Sequence, residues 1–168
     1  MLTVVGEDRP GIVAQVTKAL FEGGCNLGEA SMMRLGGSFT IMLMVELKGT
    51  GSRLQELLEP VAHSLDLHIH VDSIAGRLHR HREPDVSITV YGADRAGIVA
   101  RVTGVLAEAG LHILELESDV AGSRENPIYV MHIEGYAGEG IDVLRSALKE
   151  VEHDGVEVNL EAVDTMIG

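Results

Sequence analysis

An internal repeat constrains the fold of this chain more than any other feature. Thr3–Glu29 and Thr89–Glu115 align at a constant offset, and about 15 of their 27 positions are identical. Such self-similarity indicates one supersecondary unit that is used twice. The chain has 168 residues, enough for two small domains. We therefore predict a first domain over residues 1–74, a linker over 75–86 and a second domain over 87–168.

Hydrophobic periodicity predicts the order βαββαβ in both repeats. In the first repeat the predicted strands and helices are Leu2–Val5, Pro10–Glu22, Glu29–Leu35, Ser38–Leu47, a helix marked by Leu54, Leu58 and Leu65, and Leu67–Ile74. In the second they are Ser87–Tyr91, Ala96–Ala109, Leu114–Val120, Ile128–Glu134, Gly140–Glu152 and Val156–Val163. This order predicts an α+β protein of two ferredoxin-like domains, each an antiparallel sheet with helices on one face.

Composition excludes several classes of function. The formal net charge is −13, and residues 87–168 carry most of it, with five basic against fifteen acidic residues. Affinity for nucleic acid depends on cationic side chains, so we expect no direct nucleic-acid binding, and anionic membranes are disfavoured for the same reason. The sequence shows no membrane-spanning run and no secretory signal. With a single cysteine, Cys25, these features predict a cytoplasmic protein.

The loop before the first predicted helix combines groups that suit a zwitterionic ligand. Gly11 permits close approach of the backbone, and the helix N-terminus offers amide donors to a carboxylate. Asp8 either receives a ligand ammonium group or caps the helix. Asn26, after the helix, supplies both a donor and an acceptor. An aspartate before Pro-Gly is also an ordinary helix entry, so both interpretations stay open at this point.

The motifs GEDRPGIV and GGCNL within a βαββαβ order resemble the ACT domain, a small regulatory module that typically binds amino acids. The run CNLGEASMMRLGGSFTIMLMVEL makes the tandem pair more similar to the glycine cleavage system transcriptional repressor family. The resemblance implies ligand contacts from the loop and from the residue after the helix. The predicted binding residues are Asp8, Pro10, Gly11, Ile12 and Asn26 in the first repeat, and Asp94, Gly97, Ile98 and His112 in the second. The second repeat departs from the first at Ala96 and His112, which implies either that it has lost the site or that it binds a different ligand.

The resemblance further implies an amino-acid-sensing regulatory protein that acts by protein–protein contact in transcriptional control of glycine and one-carbon metabolism. The expected effector is a small amino acid, glycine or similar, with no cofactor. The expected partner is a transcription activator. The alternative is a regulatory subunit or relic of a metabolic enzyme, because similar paired modules precede the catalytic domains of phosphoserine phosphatase and formyltetrahydrofolate deformylase.

Other clusters admit a functional and a structural interpretation. Cys25 is either a reactive thiol or a small buried apolar residue. The histidines His68, His70, His79 and His81 could bind a metal, although a solvated strand face and a polar linker explain them, and no metal site is predicted. One strand face carries Glu115, Glu117 and Asp119, which could bind a cation, although a solvated face explains them as well.

The methionine-rich strands make both faces of the first sheet apolar, which indicates either mutual covering of the repeats or a partner surface. We expect a homodimer. The sequence contains no Gly-x-Ser-x-Gly, Walker, zinc-hydrolase or Cys-x-x-Cys motif, so we predict no enzyme activity.

Overall fold

The chain divides into two compact units, Met1–Leu78 and His79–Gly168. Each unit contains one four-stranded antiparallel sheet and two helices, which confirms the predicted α+β class and the two βαββαβ orders. The predicted limits of the linker stay predictions. The computed structural model describes residues 1–74, 82–93, 97–123, 125–152 and 156–163.

The first unit has the strand order β2-β3-β1-β4, which places β2 and β4 at the edges of the sheet. Its elements are β1 (Leu2–Glu7), α1 (Ile12–Glu22), β2 (Asn26–Leu35), β3 (Ser38–Glu46), α2 (Gly51–Leu65) and β4 (His68–Val71). The second unit has the equivalent order β6-β7-β5-β8. Its elements are β5 (Val86–Ala93), α3 (Ile98–Glu108), β6 (Leu111–Gly122), β7 (Pro127–Ala137), α4 (Ile141–Glu152) and β8 (Val156–Ala162).

Equivalent apolar residues fill the two cores. On the first helix of each unit, buried side chains recur every four residues along one face, as an amphipathic helix requires. They are Ile12, Val16 and Leu20 on α1, and Ile98, Val102 and Leu106 on α3. These stripes pack on one sheet face in each unit, and the opposite face, which we call the open face, carries the alternate residues of every strand.

Both repeat helices begin later than their sequence predicts. α1 begins at Ile12 rather than Pro10, and Gly11 is its N-cap residue with φ 91°. α3 begins at Ile98, after Gly97 with φ 100°. The left-handed conformation of these glycines is incompatible with a helical turn and is strained for residues with a Cβ atom. Pro10 therefore lies before the helix, and its predicted place in the first helical turn is wrong.

Strand lengths follow the pairing rather than the apolar runs. β4 is limited to four residues because it pairs only with Leu2–Val5 of β1. β6 extends from Leu111 to Gly122, beyond the predicted Leu114–Val120, because β7 continues to pair with it at both ends. A strand thus ends where its hydrogen-bonding partner ends.

Candidate functional site

The loop between β1 and α1 is held against the β2–β3 hairpin. The backbone N–H of Asp8 donates to the carbonyl of Gly37 at 2.9 Å. Gly36 and Gly37 form the hairpin turn with φ 57° and 81°, a conformation that glycine adopts readily. No side chain caps the N-terminus of α1, so Asp8 does not serve as its N-cap, one of the two roles that the sequence left open.

The Asp8 carboxylate instead forms an ion pair with the guanidinium of Arg34. Sheet register explains the contact. Arg34 on β2 lies opposite Phe39 on β3, and Phe39 lies opposite Gly6 on β1, two residues before Asp8. The Asp8 side chain is 25% exposed and that of Arg34 is 67% exposed. The pair therefore lies at the surface, with its carboxylate the more sheltered partner.

An open pocket of about 550 Å³ surrounds this ion pair. Small-molecule sites in proteins commonly have volumes of roughly 300–1,000 Å³. Exposed apolar surface comes from Val13 in the first turn of α1 and from Met32 on β2, which is 54% exposed. The pocket is lined by Asp8, Arg9, Pro10, Gly11, Ile12, Val13, Ala14, Met32, Arg34 and Phe39. The pocket thus combines the Asp8–Arg34 ion pair, the backbone amides at the N-terminus of α1 and an apolar wall.

Arg9 is the second cation at the pocket, and it is already engaged. Its guanidinium donates a hydrogen bond to the Glu7 carboxylate. This hydrogen bond and the charge of Glu7 raise the pKa of Arg9 above its ordinary value, so Arg9 stays charged. Glu7 and Asp8 therefore each hold one arginine, and both charges of the Asp8–Arg34 pair line the pocket.

The structure brings Asp8, Pro10, Gly11 and Ile12 together, but it does not bring Asn26 to them. Asn26 lies opposite Glu46 at one end of β3, whereas the loop lies beside Ser38 at the other end. At about 3.3 Å per residue, the nine residues of β3 separate these ends by roughly 26 Å. Within one unit, Asn26 and Asp8 cannot contact the same small ligand.

In the second unit, His112 repeats the placement of Asn26. It lies opposite Tyr136, at the end of β6 that is remote from α3's N-terminus. Gly97 and Ile98 keep the positions of Gly11 and Ile12, as N-cap and first helical residue. Asp94 lies outside the described residues. The sequence-based site prediction for both units stays a prediction.

The sequence-based site prediction did not include Arg34, the ion-pair partner of Asp8 in the pocket, nor the further lining residues Arg9, Val13, Ala14, Met32 and Phe39. The sequence feature that could have identified Arg34 is its position two residues before the Gly36-Gly37 turn. The hairpin register then places Arg34 beside the end of β1. The equivalent position in the second unit is occupied by Val120, opposite Tyr129, which itself lies opposite Gly92. The second unit therefore has no arginine at this register position.

The surroundings of Cys25 and of the histidines bear on their alternative interpretations. Cys25 is buried, and burial raises the pKa of its thiol above the ordinary value, which disfavours the reactive thiolate. His70 Nε2 lies 3.1 Å from Asp72 Oδ1. Across the described ranges, no group of three or more potential ligand side chains could hold a metal ion. His79 and His81 lie outside those ranges.

Two contacts involve the end of the predicted linker. The Arg82 guanidinium lies 5.1 Å from the ring centroid of Tyr136, and the Asp85 carboxylate accepts a hydrogen bond from the Ala137 N–H at 2.8 Å. The last linker residues are thus attached to the second unit.

Of the helices in the described part of the chain, none is both long and apolar enough to span a membrane.

The fold is thus a tandem pair of βαββαβ units, each with a left-handed glycine as the N-cap residue of its first helix. The sequence family described as the ACT domain matches residues 1–72 and 85–154. The chain therefore belongs to the ACT domain family and contains two copies of the domain in tandem.

One of the relatives of this chain is a transcriptional repressor. Over 135 residues the chain is 27% identical to the glycine cleavage system transcriptional repressor of Escherichia coli (strain K12), covering 80% of this chain and 71% of the repressor. Over 76 residues it is 40% identical to UPF0237 protein YjhC of Lactococcus lactis subsp. lactis (strain IL1403), covering 45% of this chain and 87% of that protein. The chain is thus an ACT-domain protein related to this repressor.

Two solved structures share the fold over nearly the whole chain. An unknown protein from Galdieria sulphuraria has a TM-score of 0.76 and 29% sequence identity, covering 96% of both chains. A putative glycine cleavage system transcriptional repressor has a TM-score of 0.71 and 21% identity, covering 96% of this chain and 95% of its own.

Proposed function

We propose that this protein is an amino-acid-sensing regulator without enzyme activity. It binds an α-amino acid in the pocket of the first unit and passes the signal on by protein–protein contact. The names of its relatives support a role in transcriptional control of glycine metabolism. The observation that carries the proposal is the Asp8–Arg34 ion pair at a pocket beside the N-terminus of α1.

The pocket supplies partners for both ends of a zwitterion. An ammonium group pairs with the Asp8 carboxylate, and a carboxylate pairs with Arg34 or with the free amides at the start of α1. Val13 and Met32 contact the remaining atoms. A second ACT unit is needed for Asn26 to take part, because the Asn26 of the same unit lies at the far end of the sheet.

A homodimer supplies such a unit. β2 is an edge strand whose ten residues are all exposed, and it carries exposed apolar side chains, among them Leu27, Met33 and Leu35. Unpaired edges of this length and apolarity favour pairing with another strand. We therefore propose that a second copy of the chain pairs along β2, next to the pocket.

The proposed protein partner is a transcription activator that binds the promoter itself. A net charge of −13 opposes direct binding to DNA. Regulation through an activator requires only a protein surface, and the apolar open face of the first unit, with Val5, Met33 and Met42, offers one.

A thermal-shift screen of the standard amino acids tests the sensing step. A ligand at 100 times its dissociation constant stabilises the fold by about 2.7 kcal/mol. We expect at least one amino acid to raise the melting temperature and Asp8→Asn to abolish the increase. Asp142→Asn is the matched control, because Asp142 forms an exposed ion pair with Arg145 in the second unit. No shift with any amino acid at millimolar concentration would overturn the sensing role.

Gel-shift experiments test the regulatory step. The target promoter is incubated with this protein, with the activator, and with both. We expect a change in migration only when the activator is present. A sequence-selective shift by this protein alone at physiological salt would replace the proposed mechanism by direct repression. A stable complex with a metabolic enzyme instead of the activator would favour the alternative of an enzyme's regulatory subunit.

A further inference from the structure

Resting on the proposed function, we infer that the pocket of the first unit selects an α-amino acid with an apolar side chain rather than glycine, with Arg34 binding the ligand's carboxylate and with Met32 and Val13 contacting its side chain. The Asp8–Arg34 ion pair occupies the place of the ligand's two charged groups in the unliganded protein. The ligand exchanges this pair for two new ones, its ammonium with Asp8 and its carboxylate with Arg34.

The exchange leaves no charge without a partner. The pair that breaks is replaced by the two pairs that the ligand makes, so neither Asp8 nor Arg34 loses a charged partner. A zwitterion then restores one partner to each residue. An amine without a carboxylate leaves Arg34 unpaired, and a carboxylic acid without an ammonium group leaves the more sheltered Asp8 unpaired. The ion pair therefore discriminates against ligands that carry only one of the two charges.

The surroundings of the ion pair determine the side chain of the ligand. Met32 lies two residues before Arg34 on β2, so both side chains point to the same sheet face. Val13 approaches from the first turn of α1 and is 39% exposed. A ligand held by Asp8 and Arg34 directs its side chain between these two apolar groups. Glycine leaves both exposed to water, whereas a side chain such as that of leucine covers them.

The second unit supplies an internal comparison. By register, Val120 stands where the first unit has Arg34, and Ser118 stands where it has Met32. The charge partner for a carboxylate and one apolar wall are thus both replaced. By this register, we assign the selection of an apolar amino acid to the first unit.

Isothermal titration of the full chain with four probes tests the charge exchange and the side-chain preference. The probes are leucine, glycine, isocaproate, which lacks the ammonium group, and isoamylamine, which lacks the carboxylate. We expect leucine to bind about tenfold or more tightly than each of the other three, since one charge-assisted pair or the apolar side chain is lost in each. Equal affinity for leucine and isocaproate or isoamylamine would overturn the exchange.

Substitutions with the residues of the second unit test the assignment to Arg34 and Met32. Arg34→Val is expected to weaken leucine binding about tenfold or more, with Arg34→Lys intermediate. Met32→Ser is expected to weaken leucine binding severalfold and to leave glycine binding unchanged. Arg53→Val is the matched control, because Arg53 lies in the same unit but outside the pocket lining, where its guanidinium donates to the Lys48 carbonyl. If Arg53→Val weakens leucine binding as much as Arg34→Val does, the assignment to Arg34 is wrong.

The outcomes separate this inference from the proposed function. Melting temperatures without ligand verify that each variant folds. If glycine binds and leucine does not, amino-acid sensing stands and the inference of an apolar ligand fails. If no amino acid binds, both fail. If leucine binds but Arg34→Val leaves its affinity unchanged, sensing stands and Arg34 has no part in it.

Discussion

Arg34 in the first unit and Val120 in the second occupy the same register position, whereas the cores of the two units are closely matched. Ile12, Val16 and Leu20 have buried equivalents at Ile98, Val102 and Leu106. Core side chains must fill the space between sheet and helices, so a change of size is costly there. Arg34 is at the surface, where substitution costs little stability, and the binding chemistry can differ while the fold is retained.

The open faces of the two sheets differ even more. In the first unit this face carries Val5, Met33 and Met42, with Glu7 and Glu46 at the strand ends of the sheet. In the second unit, the described strands place six carboxylates on the open face: Glu115, Glu117, Asp119, Glu134, Glu157 and Glu161. The first face suits an apolar partner, and the second keeps the sheet hydrated. One fold thus presents two opposite surfaces.

The largest expected effect tests whether the two cores are equivalent. Leu20→Ala and Leu106→Ala each remove a fully buried side chain, so each should lower the free energy of unfolding of its own unit by about 2–5 kcal/mol. Hydrogen exchange of β1 and β5 reports the two units separately. A loss below about 1 kcal/mol in only one unit would break the equivalence.

The next effect concerns the left-handed glycines before α1 and α3. Gly11→Ala and Gly97→Ala should each cost about 1–2 kcal/mol, because a Cβ there strains the backbone while it meets no close atom. Gly104→Ala in the interior of α3 also meets open space, but it should stabilise by about 0.5–1 kcal/mol through helix propensity. Urea unfolding measures all three, and the same sign for Gly97→Ala and Gly104→Ala would contradict the assigned conformation.

A smaller effect tests the acidity of the second open face. Glu115 and Glu134 are cross-strand neighbours, so Glu115→Gln should raise the free energy of unfolding by about 0.2–1 kcal/mol. The equivalent Glu29 lies at the irregularity of β2 and has no register partner, so Glu29→Gln should change stability less. The gain for Glu115→Gln should shrink as salt screens the repulsion. A gain that does not depend on salt would exclude repulsion as its cause.

The smallest expected effect is confined to alkaline pH and to the first unit, where Cys25 stands in place of Leu111. Burial raises the pKa of the Cys25 thiol above its ordinary value of 9.0. The unfolded state therefore releases the thiol proton first, so stability is full below pH 9 and falls as the pH rises through the raised pKa. The unfolding free energy of Cys25→Ala should decline less steeply over this range. An identical decline in both proteins would assign it to other groups.

Local pattern predicted the elements better than it predicted their limits. The apolar stripes of α1 and α3 and the Gly36-Gly37 hairpin were evident from spacing alone. The start of α1 was wrong by two residues, because Pro10 suits a first helical turn in isolation and the backbone turn at Gly11 takes precedence. The ends of β4 and β6 depend on their partner strands, which no local pattern contains.

The repeat, the βαββαβ order and the loop with Asp8 can be predicted from the sequence, because each depends on neighbouring residues or on a constant offset. The side chain that pairs with Asp8 is known only from the fold. Arg34 is distant along the chain, and it reaches the loop because β3 pairs with both β1 and β2 in one register. The same register kept Asn26 at the far end of the sheet, since a strand of nine residues is longer than any amino acid can bridge.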